Sequence, residues 1–111
     1  MHMGSLANYS KNKASNFCHI VINNCCHESV GGQETEGFNV DFAAIALACG
    51  YTRSFSVSTK QQVITTLNSV LKKPGSTFIE ILVNASSRPE LTRPTIKPSD
   101  NMADFMRFLH S

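Results

Sequence analysis

The run Asn23-Asn24-Cys25-Cys26-His27-Glu28-Ser29-Val30-Gly31-Gly32-Gln33 brings amide, thiol, imidazole, carboxylate and hydroxyl groups together with two glycines. A polar stretch of this kind between apolar segments usually carries function or is disordered. Its oxygens are hard donors. The Asn24 amide oxygen and neighbouring backbone carbonyls suit magnesium, which prefers oxygen ligands and commonly carries substrate phosphates. Gly31-Gly32 lets the backbone come close to an anion and offer N–H groups. An Asn-Asn pair at a strand end is also a common turn former, and Gly-Gly alone is unspecific. Cys25-Cys26-His27, with Cys18-His19 nearby, raises zinc, but no CxxC or HxxxH spacing is present. Cys18 and His19 also fall on opposite faces of a strand. Cys25 and Cys26 are therefore expected not to ligate zinc, and their adjacency disfavours a structural disulfide. His27 beside Glu28 is a candidate acid–base pair or, equally, a solvated loop pair.

The elements that must hold this run follow from periodicity. Residues 17–23, FCHIVIN, form a short apolar run rich in β-branched residues, expected as a strand buried on both faces of a parallel sheet. After the polar loop, Phe42, Ile45, Ala46 and Cys49 recur at helical spacing, with Gly50 placed to end the helix. A short strand is expected over 52–57. Thr59 and Gln62 make a capping-box pattern for a helix whose apolar face is Val63, Ile64, Leu67, Val70 and Leu71, closed by Pro74-Gly75. A third strand spans 77–83. Residues 88–98, with three prolines, read as an extended surface arm. A terminal helix over 100–110 carries Met102, Phe105, Met106 and Leu109 on one face. The N-terminal MHMGSLANYSK reads either as a helix turning Met3, Leu6 and Ala7 to a core or as partly a vector scar. The alternation predicts an α/β fold: a parallel sheet with flanking helices. In such a sheet ligands sit at the carboxyl ends of strands, where the Asn24 loop begins.

Composition narrows the function classes. The chain has 111 residues, 41% hydrophobic and 16% charged, with a net charge of +2. Its basic residues are dispersed, which argues against nucleic-acid binding. No apolar run approaches the roughly 20 residues that span a bilayer, and no signal peptide is evident. Four cysteines without a framework spacing indicate a reduced, cytoplasmic protein. Three strands make a thin parallel sheet, a sign that the chain is part of something larger.

HIVINNCCHESVGGQETEGFNVDFAAIALACGY resembles the thiamine-diphosphate-binding domain of phosphonopyruvate decarboxylases. That family's run is a strand, Asn-Asn, a linker ending His-(Asp/Glu)-Ser, Gly-Gly-Gln, Thr and Gly, then a helix ending Ala-Cys-Gly-Tyr. Sulfopyruvate decarboxylases share much of it. The likeness continues through STFIEILVNASSRPELTRPTIKP, so all of 1–111 is expected to be the C-terminal part of such a domain. The resemblance implies thiamine diphosphate and Mg2+ as cofactors. It assigns the Asn24 side-chain oxygen and the Cys26 carbonyl to magnesium, and places Ser29 and Val30 against the diphosphate. The family's small residues stand here as Cys25-Cys26, and its Gln-Pro-Thr as Gln33-Glu34-Thr35, which adds negative charge near a phosphate site.

The family's Gly-Asp-Gly motif, which supplies a charged magnesium ligand, does not occur in this sequence and is expected just upstream of Met1. A pyrimidine-binding domain or subunit, whose glutamate activates the cofactor, is the implied partner, in a homo-oligomer whose active site lies between domains. The implied reaction is decarboxylation of a 3-phosphono- or 3-sulfo-substituted 2-oxo acid, phosphonopyruvate giving phosphonoacetaldehyde and CO2. The alternative is an inactive cofactor-domain remnant or interaction module. Activity of the isolated chain is left open.

Overall fold

A computed structural model of the chain describes residues 3–9 and 14–111. Part of the expected N-terminal helix lies outside the described residues. Within them α1 is a single turn, Ser5–Asn8, with Leu6 buried. The sheet has three parallel strands, β1 (Cys18–Asn23), β4 (Arg53–Val57) and β5 (Thr77–Leu82), in the order β1-β5-β4. Cys18 faces Thr77 and Asn23 faces Leu82 across one seam, while Arg53 faces Thr77 across the other. This is the parallel α/β architecture that the alternating periods predict.

Central β5 separates two apolar clusters. On one face Phe78 packs with Leu6, Ala46 and Tyr51, under α2 (Phe42–Ala48). On the other, Ile79 packs with Val57 and Val70, under α3 (Lys60–Val70). Both helices stop and start by local chemistry. Asp41 caps α2 by accepting the Ala44 N–H at 2.8 Å. The helix ends in two nested bonds, Gly50 N–H to the Leu47 carbonyl and Tyr51 N–H to the Ala46 carbonyl, with Gly50 at φ 93°. That stop drops Tyr51 into the core. The expected capping box is present: Thr59 Oγ1 accepts the Gln62 N–H, and Gln62 Oε1 accepts the Thr59 N–H.

One expectation about the strands needs correction. β1 is not buried on both faces, because Ile20 is 43% exposed and Ile22 62%. β1 is an edge strand, so the buried-strand role falls to central β5, whose Thr77–Glu80 segment is buried throughout. The polar run has local structure of its own. It folds into an antiparallel hairpin, β2 (Cys26–His27) with β3 (Gln33–Glu34), joined by a 3-10 turn at Glu28–Val30 and followed by another at Glu36–Phe38. The arm leads to α4 (Pro98–Leu109), which begins two residues before its expected start because Pro98 fits the first helical turn. Every residue of α4 is exposed.

Candidate functional site

β1 and β5 run parallel, so their carboxyl ends adjoin, and Val83 N–H bonds to the Asn23 carbonyl there. The hairpin leaves the sheet at this point. Asn23 is buried and saturated. Its Nδ2 donates to the Gly37 carbonyl at 3.1 Å and to Glu80 Oε1 at 2.7 Å, and its Oδ1 accepts the Cys25 N–H at 3.0 Å. Glu80 Oε2 accepts from Ser56 Oγ at 2.7 Å. Cys25 takes a left-handed φ of 56°, the only positive φ outside glycine among the described residues, and its carbonyl accepts the Thr35 N–H at 2.9 Å.

That last bond sets the hairpin's phase. Bonding alternates along an antiparallel ladder. With Cys25 paired to Thr35, the intervening Cys26 turns its peptide groups to the outer edge. Asn24 lies on the same edge, its Oδ1 accepting the Cys26 N–H at 3.2 Å. Asn24 and Cys26 both line one open cleft of about 570 Å³, with Glu28, Gly32, Glu34, Phe38 and Asn84 also on it. Ser29 and Val30 sit exposed on the 3-10 turn of the hairpin tip. Gly31 and Gly32 both take positive φ, 93° and 71°, with open space where a Cβ would stand. Backbone conformation, not crowding, requires glycine there. Gly32 N–H is committed to the His27 carbonyl at 3.0 Å, so it is not free for an anion as the glycine pair led one to expect.

Glu28 turns its carboxylate to Asn24 Nδ2 at 2.7 Å and not to His27. The acid–base pair read from their adjacency is therefore not formed here. Burial pushes the Cys25 thiol pKa up, with the negative charges of Glu80 and Cys26 adding to it, so Cys25 is a poor nucleophile. The four cysteines are free, and no group of three His, Cys, Asp or Glu side chains gathers in metal-holding geometry among the described residues.

Residues 1–81 match the family described as thiamine pyrophosphate enzyme, C-terminal TPP binding domain. The chain belongs to that family. It is 32% identical over 108 residues to a phosphonopyruvate decarboxylase of Streptomyces hygroscopicus, covering 97% of this chain and 27% of that protein. It is 31% identical to the phosphonopyruvate decarboxylase of Streptomyces viridochromogenes, covering 98% of this chain and 28% of that protein. A third relative is the sulfopyruvate decarboxylase subunit beta of Methanococcus maripaludis, 32% identical over 79 residues, 71% of this chain and 42% of that subunit. The chain therefore spans about a quarter of the length of the Streptomyces relatives and under half of the archaeal subunit.

As a TPP-binding domain, the chain offers this cleft donors that fit a hard cation: a side-chain amide oxygen and an outward backbone carbonyl. Glu28 and Glu34 on the same cleft suit a cation and oppose a bare diphosphate. Residue-level reading missed the groups behind the loop, namely Asn23, Gly37, Ser56 and Glu80. One signal was available: a glutamate in the middle of the apolar run TFIEIL.

Proposed function

We propose that this chain forms the diphosphate-and-magnesium side of a thiamine diphosphate site in an enzyme that decarboxylates a 3-phosphono- or 3-sulfo-substituted 2-oxo acid. The placement of Asn24 and Cys26 together on one cleft, joined by the Cys26 N–H to Asn24 Oδ1 bond, at the carboxyl end of the sheet, supports the reading. Asn24 and Cys26 would ligate Mg2+, and Ser29 and Val30 would lie against the diphosphate. When bound, the cofactor would supply a carbanion to add to the 2-oxo carbon and a cationic ring to take up the electron pair left when CO2 departs. The chain's own work is to orient the metal and diphosphate and to keep both carboxylates, Glu28 and Glu34, facing the cation. His27, half-buried on β2, is a candidate proton carrier in the complete enzyme.

The substrate class is drawn from the names of the relatives, phosphonopyruvate and sulfopyruvate decarboxylases. A pyrimidine-binding domain or subunit completes the site, in a homo-oligomer, with the exposed apolar faces of β1 and α4 available for that assembly. Free thiols suit a reducing cytoplasm. No helix among the described residues is long and apolar enough to cross a membrane.

The test is a chimera of the Streptomyces hygroscopicus enzyme in which this chain replaces the matched quarter. CO2 release from phosphonopyruvate and sulfopyruvate is measured with thiamine diphosphate and Mg2+ present. Activity on either acid that is lost with Asn24→Ala supports the reading. A folded chimera that binds no cofactor favours the inactive remnant instead.

A further inference from the structure

We infer that Glu80 is a positioning residue for the metal–diphosphate loop, acting through Asn23 and the left-handed turn at Cys25 to set where Asn24 Oδ1 and the Cys26 carbonyl stand. The inference rests on the proposed cofactor reading and deepens it.

Glu80 occupies an odd place for an acid. It is 5% exposed, on the central strand, between Ile79 and Ile81. Among the described residues no lysine or arginine pairs with it; the ion pair there is Arg107 with Asp104 on α4. A carboxylate buried without a cation is costly and persists where its hydrogen bonds do something specific. Both oxygens are engaged, one by Asn23 Nδ2 and one by Ser56 Oγ, each at 2.7 Å. Ser56 on β4 fixes the carboxylate from the side away from the loop.

Asn23 transmits this. With one Nδ2 hydrogen on Glu80 and the other on the Gly37 carbonyl, its amide plane is fixed and its Oδ1 can only point one way, toward the Cys25 N–H. Cys25 needs that restraint, because a non-glycine residue at positive φ is strained and is held only by its surroundings. Cys25 lies between Asn24 and Cys26, so its φ and ψ determine the relative placement of the two proposed metal oxygens. Gly37 closes the far side: a Cβ there would stand 2.7 Å from Asn23 Oδ1 and 3.1 Å from Thr35 Oγ1. A methyl at position 37 would therefore press first on Asn23, with Thr35 Oγ1 next, the nearest atoms being those of Asn23 and Thr35.

Four variants separate positioning from stability alone. Glu80→Leu removes both acceptors, and Gly37→Ala pushes Asn23 from the loop side. Glu80→Gln is the conservative replacement: its oxygen still accepts from Asn23 and its amide can donate to Ser56 Oγ. Ile79→Val, on the other face of β5, lowers stability by core packing alone. Two readouts are taken. One is exchange of the Cys25 amide in the full 111-residue chain, which needs no cofactor. The other is Mn2+ affinity in the presence of thiamine diphosphate, from paramagnetic broadening, in the chimera described above, which supplies the rest of the site.

Glu80→Leu and Gly37→Ala are each expected to speed Cys25 exchange while β5 amides stay protected, and to weaken Mn2+ binding by about 10- to 100-fold, the usual loss when support behind a metal ligand goes. Glu80→Gln and Ile79→Val should leave both readouts near wild type. If Glu80→Leu does not fold, Gly37→Ala decides. Unchanged Cys25 exchange in Gly37→Ala overturns the inference, as does Mn2+ affinity that merely tracks stability across all four variants. Should the wild-type chimera bind no Mn2+ with thiamine diphosphate, the cofactor reading fails by itself, and Cys25 exchange still judges whether Glu80 sets the turn.

Discussion

At the scale of single residues, the loop's donors divide by which atom does the work. Asn24 would act through its side-chain oxygen and Cys26 through a carbonyl that any residue carries. Asn24→Ala is therefore expected to weaken magnesium-dependent thiamine diphosphate binding by about 10- to 100-fold, in the chimera described above, while Cys26→Ala costs little. Calorimetric titration with Mg2+ in excess measures both, and equal losses would mean that the oxygens are wrongly assigned. His19 offers a second test. Its Nδ1 lies 2.8 Å from the Tyr51 hydroxyl, among the rings of Phe17, Tyr51 and Phe78, and burial lowers its pKa. Below the ordinary histidine value of 6.5 the unfolded chain binds the proton more readily than the folded one. Stability is thus present above that value and falls as pH drops through it. Urea midpoints between pH 7.5 and 5.5 should decline in the wild type and decline less in His19→Gln; equal slopes would show that another group carries the effect.

At the scale of elements, the hairpin and the strand behind it differ sharply in support. The β2–β3 ladder pairs two residues on each side, and its tip at Ser29–Glu34 is exposed. β5 is the opposite, flanked by strands on both edges and by apolar clusters on both faces. Local opening follows such differences. Amides across Val30–Gly37 should exchange orders of magnitude faster than those of Phe78–Glu80 in the cofactor-free chain. Uniform protection would mean that the loop is already rigid. The hairpin itself was not legible in the sequence. Cys25 and Cys26 carry no turn signature, and the pairing depends on Asn23 holding Cys25 in a conformation that cysteine alone avoids.

At the scale of the whole molecule, much apolar surface has no cover among the described residues. Met102, Phe105, Met106, Phe108 and Leu109 on α4 are all exposed, as are Ile20 and Ile22 on the open face of β1. A helix that packs on nothing contributes little to the fold's stability. Phe105→Ser together with Leu109→Ser should therefore shift the unfolding free energy by no more than about 0.5 kcal/mol, yet reduce self-association or assembly in the chimera. Chemical denaturation and sedimentation velocity report the two separately. A loss of several kcal/mol would show that α4 packs on its own sheet in solution.

The order of strands and helices, the stop at Gly50 and the capping box at Thr59 were all written in local sequence. Periodicity, a left-handed glycine and a side chain three residues from its N–H are short-range physics. The roles proposed for Asn24 and Cys26 came from the family resemblance of the run around them, since an Asn-Asn pair beside glycines is by itself an ordinary turn former. Which Asn is buried, where Glu80 points and which face of β1 stays open were not legible locally. Asn23 and Asn24 are indistinguishable until β5 arrives beside β1 and brings Glu80 to 2.7 Å from one of them, across 57 positions of chain. Ile20 and Ile22 look like core until the sheet closes with β1 at its edge. Those outcomes rest on contacts between segments far apart in sequence, and only the assembled sheet decides them.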